Sequence, residues 1–251
     1  MKNEEEIIKR HLCDLATRAE NGGYYVYSEF LSPAEQALVS DLFRDGKITA
    51  YTLEGGYAFA ERKLCVFGNE GELGYPPEAP CVWLKIAPRE KKFSDSLTHR
   101  DFLGSLMGLG IRREVLGDIV VSDNEGYLYL LESMVPYIGE SLTAVKHTAV
   151  VISEVDALPD VAFSLPDEES FVVAGERLDA FVASIYKLSR SQAAALIEKG
   201  LVAVDGKVVE KVSFAPREGA MISVRGYGRF WFESIAGDTR KGKIRILARV
   251  Y

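Results

Sequence analysis

The sequence predicts an α+β protein of three small domains, and three observations carry that expectation. Helix-like and strand-like patterns alternate in short stretches throughout the 251 residues. Two stretches, residues 71–80 and 157–170, are rich in Gly, Pro or acidic residues and serve as breaks between the patterned regions. Charge is also uneven. Residues 171–251 hold 14 Lys+Arg against 8 Asp+Glu, net +6, while residues 1–170 hold 16 against 29, net −13, within an overall charge of −7. A basic module is thus joined to an acidic body. The expected domains are 1–78, 79–158 and 171–251, each able to bury a modest core.

Composition excludes several classes. With 47% hydrophobic and 27% charged residues the chain is ordinary for a folded protein, not for a disordered one. No run approaches the roughly 20 apolar residues of a membrane-spanning helix. The first residues, Met-Lys-Asn-Glu-Glu-Glu-Ile-Ile-Lys-Arg, lack the basic-then-apolar order of a signal peptide. Cys13, Cys65 and Cys81 are odd in number and widely spaced, against a disulfide framework or a zinc knuckle. His11, His99 and His147 have no Cys or carboxylate at ligand spacing. The expectation is a cytoplasmic protein with no membrane segment, metal or cofactor.

In the first domain, residues 4–18 place Ile7, Ile8, Leu12 and Leu15 at helical spacing. Residues 24–27 read as a strand. Ser32-Pro33-Ala34-Glu35 has the form of a helix start, with Ser32 as N-cap and Glu35 closing a capping box, and the helix should end near residues 44–46. Further strands are expected at 48–53 and 64–68, with Gly55-Gly56 turning between them.

In the second domain, residues 82–87 read as a strand and 98–109 as a helix capped by Thr98 and Asp101. Strands at 118–122 and 127–131 flank the turn Asp123-Asn124-Glu125-Gly126, a short helix fits 135–142, and 149–154 closes with a strand. This order is the ferredoxin-like arrangement that RNA-recognition domains also use, so the domain is expected to be RRM-like. No aromatic strand motif for base stacking stands out. Tyr127 and Tyr129 share one strand face, and packing is the preferred reading for both. Gly104, Gly108 and Gly110 form no dinucleotide fingerprint and are expected to allow close helix packing.

In the third domain, residues 176–187 carry Leu178, Phe181, Val182 and Ile185 on one helical face, and 191–199 carry Ala194, Ala195 and Ile197. Gly200 stops the second helix. A strand at 201–204, a turn at Asp205-Gly206 and a return at 207–209 follow. Residues 220–225 continue the sheet, and 229–235 with 243–250 form a last hairpin. Residues 157–170, with Pro159, Pro166, Asp167, Glu168 and Glu169, are read as linker.

Several of these segments resemble a known pattern. Arg177-Leu178-Asp179, Leu188 to Ala193, and Ile197 to Val209 are similar to the S4 domain, with Glu218 to Arg225 like its closing strand. Ala220 stands where that pattern usually has Asp. Thr98 to Arg113 with Gly117-Asp118-Ile119 resembles the middle domain of the YlmH family, and Phe30 to Gln36 and Gly55 to Arg62 resemble its first domain. The resemblance implies a bacterial factor that binds large ribosomal subunits still obstructed by peptidyl-tRNA and supports tailing of the stalled chain. It implies ribosomal RNA as partner, with peptidyl-tRNA a further one, an S4-like (αL motif) C-terminal domain, and no catalytic role.

The residues themselves fit such a partner. Ser189-Arg190-Ser191 lies at the turn between two helices, where a helix start offers N–H groups to phosphate. Arg190 and Arg177 add planar forks suited to phosphate oxygens. The candidate RNA-binding residues are Arg177, Ser189, Arg190, Ser191, Gln192, Lys199, Lys207, Lys211 and Arg225. For Lys207 and Lys211 a plain solvated role stands equally beside it. His99, Arg100, Arg112 and Arg113 form a candidate second contact to RNA or ribosomal protein, again beside a solvent-exposed reading. Recognition by backbone and shape is expected rather than base sequence.

Competing readings are weaker. Arg177-Leu178-Asp179 also resembles the catalytic sequence of pseudouridine synthases, but here it opens the S4-like helix, so Asp179 reads as a helix-surface or capping residue. His99-Arg100-Asp101 echoes a kinase loop without its phosphate-cradling partners. The alternatives are an RNA-modifying enzyme and a cell-division scaffold. The expected protein is a monomer without a small-molecule substrate.

Overall fold

Capping chemistry sets the helices of the N-terminal region. The computed structural model describes residues 2–156, 158–159, 165–238 and 242–251, in two units divided between residues 164 and 165. Helix α1 runs Lys2–Gly22, strand β1 Val26–Leu31 and helix α2 Pro33–Arg44. Ser32 and Glu35 form the expected reciprocal box at the start of α2, and Asp45 closes its end. Strands β2 (Tyr51–Glu54) and β3 (Lys63–Phe67) complete an antiparallel sheet ordered β1, β3, β2. The first strand lies later than the aromatic run suggested, because Val26, Ser28, Phe30 and Leu31 are the positions that bury. Leu12, Leu15, Val39, Leu42, Ile48 and Phe67 are part of the core between helices and sheet.

After a short helix α3 (Glu70–Leu73), the second sheet begins. Its elements are β4 (Cys81–Pro88), α4 (His99–Gly108), β5 (Leu116–Ser122), β6 (Glu125–Leu131), α5 (Val135–Ser141), β7 (Ala144–Val145) and β8 (Thr148–Val155). The order β5, β6, β4, β8, β7, antiparallel throughout, is the ferredoxin-like sheet with a two-residue edge strand added. Asp123 and Asn124 both take positive φ, as a tight hairpin requires. Leu84, Ile86, Leu128 and Leu130 alternate onto the helix side and pack with Phe102, Leu106 and Ile138. Gly104 and Gly108 do not serve close packing: a methyl at either would meet nothing within 4 Å. They lie on the outer side of α4, where spacing alone cannot tell an open face from a packed one.

The opposite face of this sheet meets the first sheet across an aromatic seam. Trp83, Tyr127 and Tyr129 bury with Phe30 and Leu64, with Trp83 and Tyr129 ring centroids 4.9 Å apart and Phe30 5.7 Å from Tyr129. Gly56 takes φ +81, and a Cβ there would come within 2.9 Å of the Tyr129 ring, so the turn at 55–56 must be this small. Beside the rings, Asp118 accepts from Glu61 N (2.7 Å), Arg62 N (3.1 Å) and Tyr57 Oη (3.1 Å). Arg62 in turn donates to the carbonyls of Phe30 and Leu116.

In the second unit, strand β9 (Glu168–Val173) precedes helices α6 (Leu178–Ile185) and α7 (Arg190–Glu198). Strands β10 (Val202–Val204), β11 (Lys207–Val208), β12 (Met221–Val224), β13 (Gly228–Asp238) and β14 (Ile244–Val250) follow. The six-stranded sheet runs β11, β10, β12, β13, β14, β9. Part of the expected linker 157–170 is therefore strand: residues 168–170 pair with Leu247, Ala248 and Arg249. Glu168 stands across the sheet from Arg249 and Glu169 from Ala248, and Arg249 bonds Glu233 at 2.6 Å. Ala157 and residues 160–164 of that linker lie outside the described residues. Helix α6 is not one-sided either; seven of its eight residues are buried. Of α7, Ile197 buries as expected, with Ala193 in place of Ala194 and Ala195.

Replacing Asp118 by Ala strands three donors at the seam. The expected cost is about 2–4 kcal/mol to the first unit, read by denaturant unfolding through Trp83 fluorescence in a Trp231→Phe background. Unchanged stability would show that the bonds to Asp118 do not hold the seam. Glu125 supplies an acid-sensitive element. Burial alone would raise its carboxyl, but bonds from Lys85 (2.8 Å), Lys91 (3.0 Å) and Tyr127 hold it at about 2, below its ordinary 4.5. A depressed carboxyl stabilises above pH 4.5, and that stabilisation fades as pH falls toward 2. Glu125→Gln should remove that part of the acid sensitivity, measured as thermal midpoint against pH.

Candidate nucleic-acid interface

The fork residues are placed by a carboxylate that sequence alone leaves on the helix surface. Because α6 is buried almost all round, Asp179 is only 3% exposed. Its two oxygens take both arginines. Arg190 donates from Nη2 at 2.6 Å and from Nε at 2.9 Å to Oδ2, and Arg177 donates from Nε at 3.1 Å to Oδ1. The arginine side chains stay 50% and 44% exposed for Arg177 and Arg190 respectively. Two cations thus stand side by side on one anion, leaving one net positive charge and several guanidinium N–H groups toward solvent. Asp179 is a correction to the surface-or-capping reading. Its signal was present in the sequence, as an acid two residues after one arginine and inside an otherwise apolar helix.

The start of α7 is less open than a bare helix end. Ser189 Oγ accepts from Gln192 N at 3.2 Å, and Gln192 Oε1 accepts from Ser189 N at 2.9 Å. Ser191 Oγ lies 3.0 Å from Ser189 Oγ. The box therefore occupies the amides of Ser189 and Gln192, so the turn offers fewer N–H groups than an uncapped helix start. Among the described residues, the amides of Arg190 and Ser191 keep no partner, beside the two forks. Ser189 and Gln192 hold the turn, and the exposed hydroxyl of Ser191 adds a polar group.

The remaining candidates are spread over three places. Lys211 lies on a loop that reaches the start of α6: Phe214 N donates to Lys211 O, and Phe214 O accepts from Leu178 N at 2.8 Å. Lys199 is the C-cap of α7, roughly 13 Å along the helix from Arg190. Arg225 lies with it, its amide donating to Leu201 O at 2.9 Å. Lys207 is exposed on β11. Ala220, in place of the usual Asp, is fully buried under the sheet, where a methyl fits and a carboxylate would need partners.

The weaker set is divided. His99 and Arg100 lie at the start of α4 with exposed surface, and partial burial and the nearby Arg113 lower the His99 imidazole from its ordinary value. Arg112 pairs with Glu29. Arg113 turns inward, donating to the carbonyls of Leu116 and Gly117 at 2.8 Å each. Burial, helped by Arg62, lowers its guanidinium to about 10. Among the described residues no group of His, Cys, Asp and Glu could hold a metal ion, and no helix is long and apolar enough to cross a membrane.

Two sequence families match this architecture. The pattern described as a putative RNA-binding domain in YlmH covers residues 84–158, and the S4 domain covers residues 176–222, from just before α6 into β12. The ribosome-associated protein quality control protein P2 of Bacillus subtilis (strain 168) is 33% identical over 223 residues, covering 87% of this chain and 84% of that protein. A solved structure, cell division protein ylmH from Streptococcus pneumoniae, is 19% identical with a TM-score of 0.49, over 63% of this chain and 93% of that one. One-third identity across most of both sequences, with the middle and C-terminal domains each matched in turn, means that the chain belongs to the YlmH family.

Proposed function

We propose that the chain is a ribosome-associated RNA-binding protein that docks on structured RNA of the large subunit through the junction of α6 and α7, in quality control of stalled translation. The observation that carries this is the buried Asp179 with Arg177 and Arg190 fixed on its two oxygens. A guanidinium already oriented loses less freedom when it meets a phosphate than a free side chain does. Forks, two open amides and Lys211 face the backbone of a folded RNA, and no pocket for a base is needed. The name of the Bacillus relative supports the ribosomal setting. Contact with peptidyl-tRNA on the obstructed subunit belongs to the same reading, since a second RNA backbone would suit the group at Lys199 and Arg225.

The reading is of a binding protein and not of a modifying enzyme. Asp179 is the acid of the Arg-Leu-Asp sequence, and it is both buried and committed to two arginines. It is not presented to a substrate.

Arg177→Ala combined with Arg190→Ala should release the protein from large subunits in gradient sedimentation. The salt dependence of binding should flatten by about two units, one for each phosphate that an arginine no longer neutralises. A folded double variant that co-sediments unchanged, with an unchanged slope, contradicts the site. Asp179→Asn makes a sharper test. It adds one positive charge, which by bulk electrostatics would tighten binding, yet it removes a seat of the forks. The expected result is weaker RNA binding with a stability loss of about 1–3 kcal/mol; tighter binding would show that the arginines act as loose charges.

A further inference from the structure

Ferredoxin-like RNA-binding domains present aromatic side chains on the open face of their sheet, and bases stack there. In this protein that face is closed. Trp83, Tyr127 and Tyr129 are 8%, 9% and 6% exposed, under Phe30 and Leu64 of the first sheet. RNA reaching the middle domain must meet it elsewhere. The connection between β4 and α4 offers the surface. Phe93 is 77% exposed, more than any other large hydrophobic side chain among the described residues. Lys92 holds its ammonium 5.6 Å from the centre of that ring. Arg89 is exposed three residues after the buried Ile86, and neither it nor Lys92 has an acidic partner among the described residues. Glu90 is the acid on this connection whose carboxylate has no partner among the described residues.

We infer that this loop is a second RNA contact, in which the Phe93 ring stacks on an unpaired base while Arg89 and Lys92 meet the flanking phosphates. The loop is built to hold such a ring out. Its turn closes with Phe93 N to Glu90 O at 3.2 Å and Ser94 Oγ to Lys91 O at 2.8 Å. Asn124, from the β5–β6 hairpin, donates to Ser94 Oγ and Asp95 O at 2.8 Å each and accepts from Leu97 N at 2.6 Å. Asp95 N donates to Thr148 Oγ1 at 2.9 Å, and Arg89 N donates to Ala149 O at 2.9 Å. Lys91 is tied to Asp123 and Glu125, so the acids of the neighbouring hairpin are neutralised before any RNA arrives. An apolar ring kept in water by a braced loop and flanked by unpaired cations suits nucleic acid, because every base has a face to stack and a charge beside it. An apolar protein surface would gain nothing from the cations. This contact goes beyond the α6–α7 junction and does not depend on it.

The test uses the full chain with purified bacterial large subunits and with the deproteinised RNA of those subunits. Ultraviolet crosslinking followed by mass spectrometry should find a nucleotide adduct on the peptide containing Phe93. Phe93→Ala should remove the adduct and weaken binding to the naked RNA about tenfold, as loss of one stacked base does. The adduct should persist, at higher protein concentration, in the Arg177→Ala, Arg190→Ala chain, so a failure of the junction and a failure of the loop are told apart. No adduct with unchanged affinity overturns the inference. So does a Phe93→Ala chain that loses subunits but keeps naked RNA, since the loop's partner would then be a ribosomal protein.

Discussion

The arginine surface at the junction of α6 and α7 rests on one buried carboxylate. Asp179 sits in a helix whose other residues supply the core, so its charge has to be answered where it stands. Arg177 comes from just before the same helix and Arg190 from the start of the next, and both reach it within hydrogen-bond distance. One interaction therefore does three things. It satisfies a buried anion, fixes the turn between α6 and α7, and aims two guanidinium groups outward. Without the burial of α6 there would be no reason for the arginines to meet.

The first unit shows the opposite use of polar and aromatic groups. A sheet face suited to bases is given over to joining two sheets, with Asp118 and Arg62 satisfying the polar edge of an aromatic seam. What remains for a ligand is the rim, where loops are braced by Asn124 and Asp95. The fold of the middle domain thus says little about where a ligand would meet it, as is general when function is carried by a site and not by the architecture.

Local signals were legible where chemistry is local. The capping boxes of Ser32 with Glu35 and Thr98 with Asp101, the helix stop at Gly200 and the hairpins at Asp123-Asn124 and Asp205-Gly206 follow from residue type alone. The alternation of Leu84, Ile86, Leu128 and Leu130 gives the ferredoxin-like sheet for the same reason. Long-range answers were not legible. Glu168 and Glu169 read as linker because the strand that pairs them lies about eighty residues away, at Ala248 and Arg249. Asp179 reads as surface because its burial depends on a sheet formed after it. The open setting of Gly104 and Gly108, and the inward turn of Arg113, depend equally on distant neighbours. In the candidate site the sequence names the cations and misses the anion that organises them.

The most direct measurement is a cryo-EM map of the protein on purified large ribosomal subunits. The expected result is density for an RNA phosphate within hydrogen-bond distance of both the Arg177 and Arg190 side chains, with Asp179 still between them. A map in which the junction of α6 and α7 faces solvent while another surface holds the subunit would contradict it.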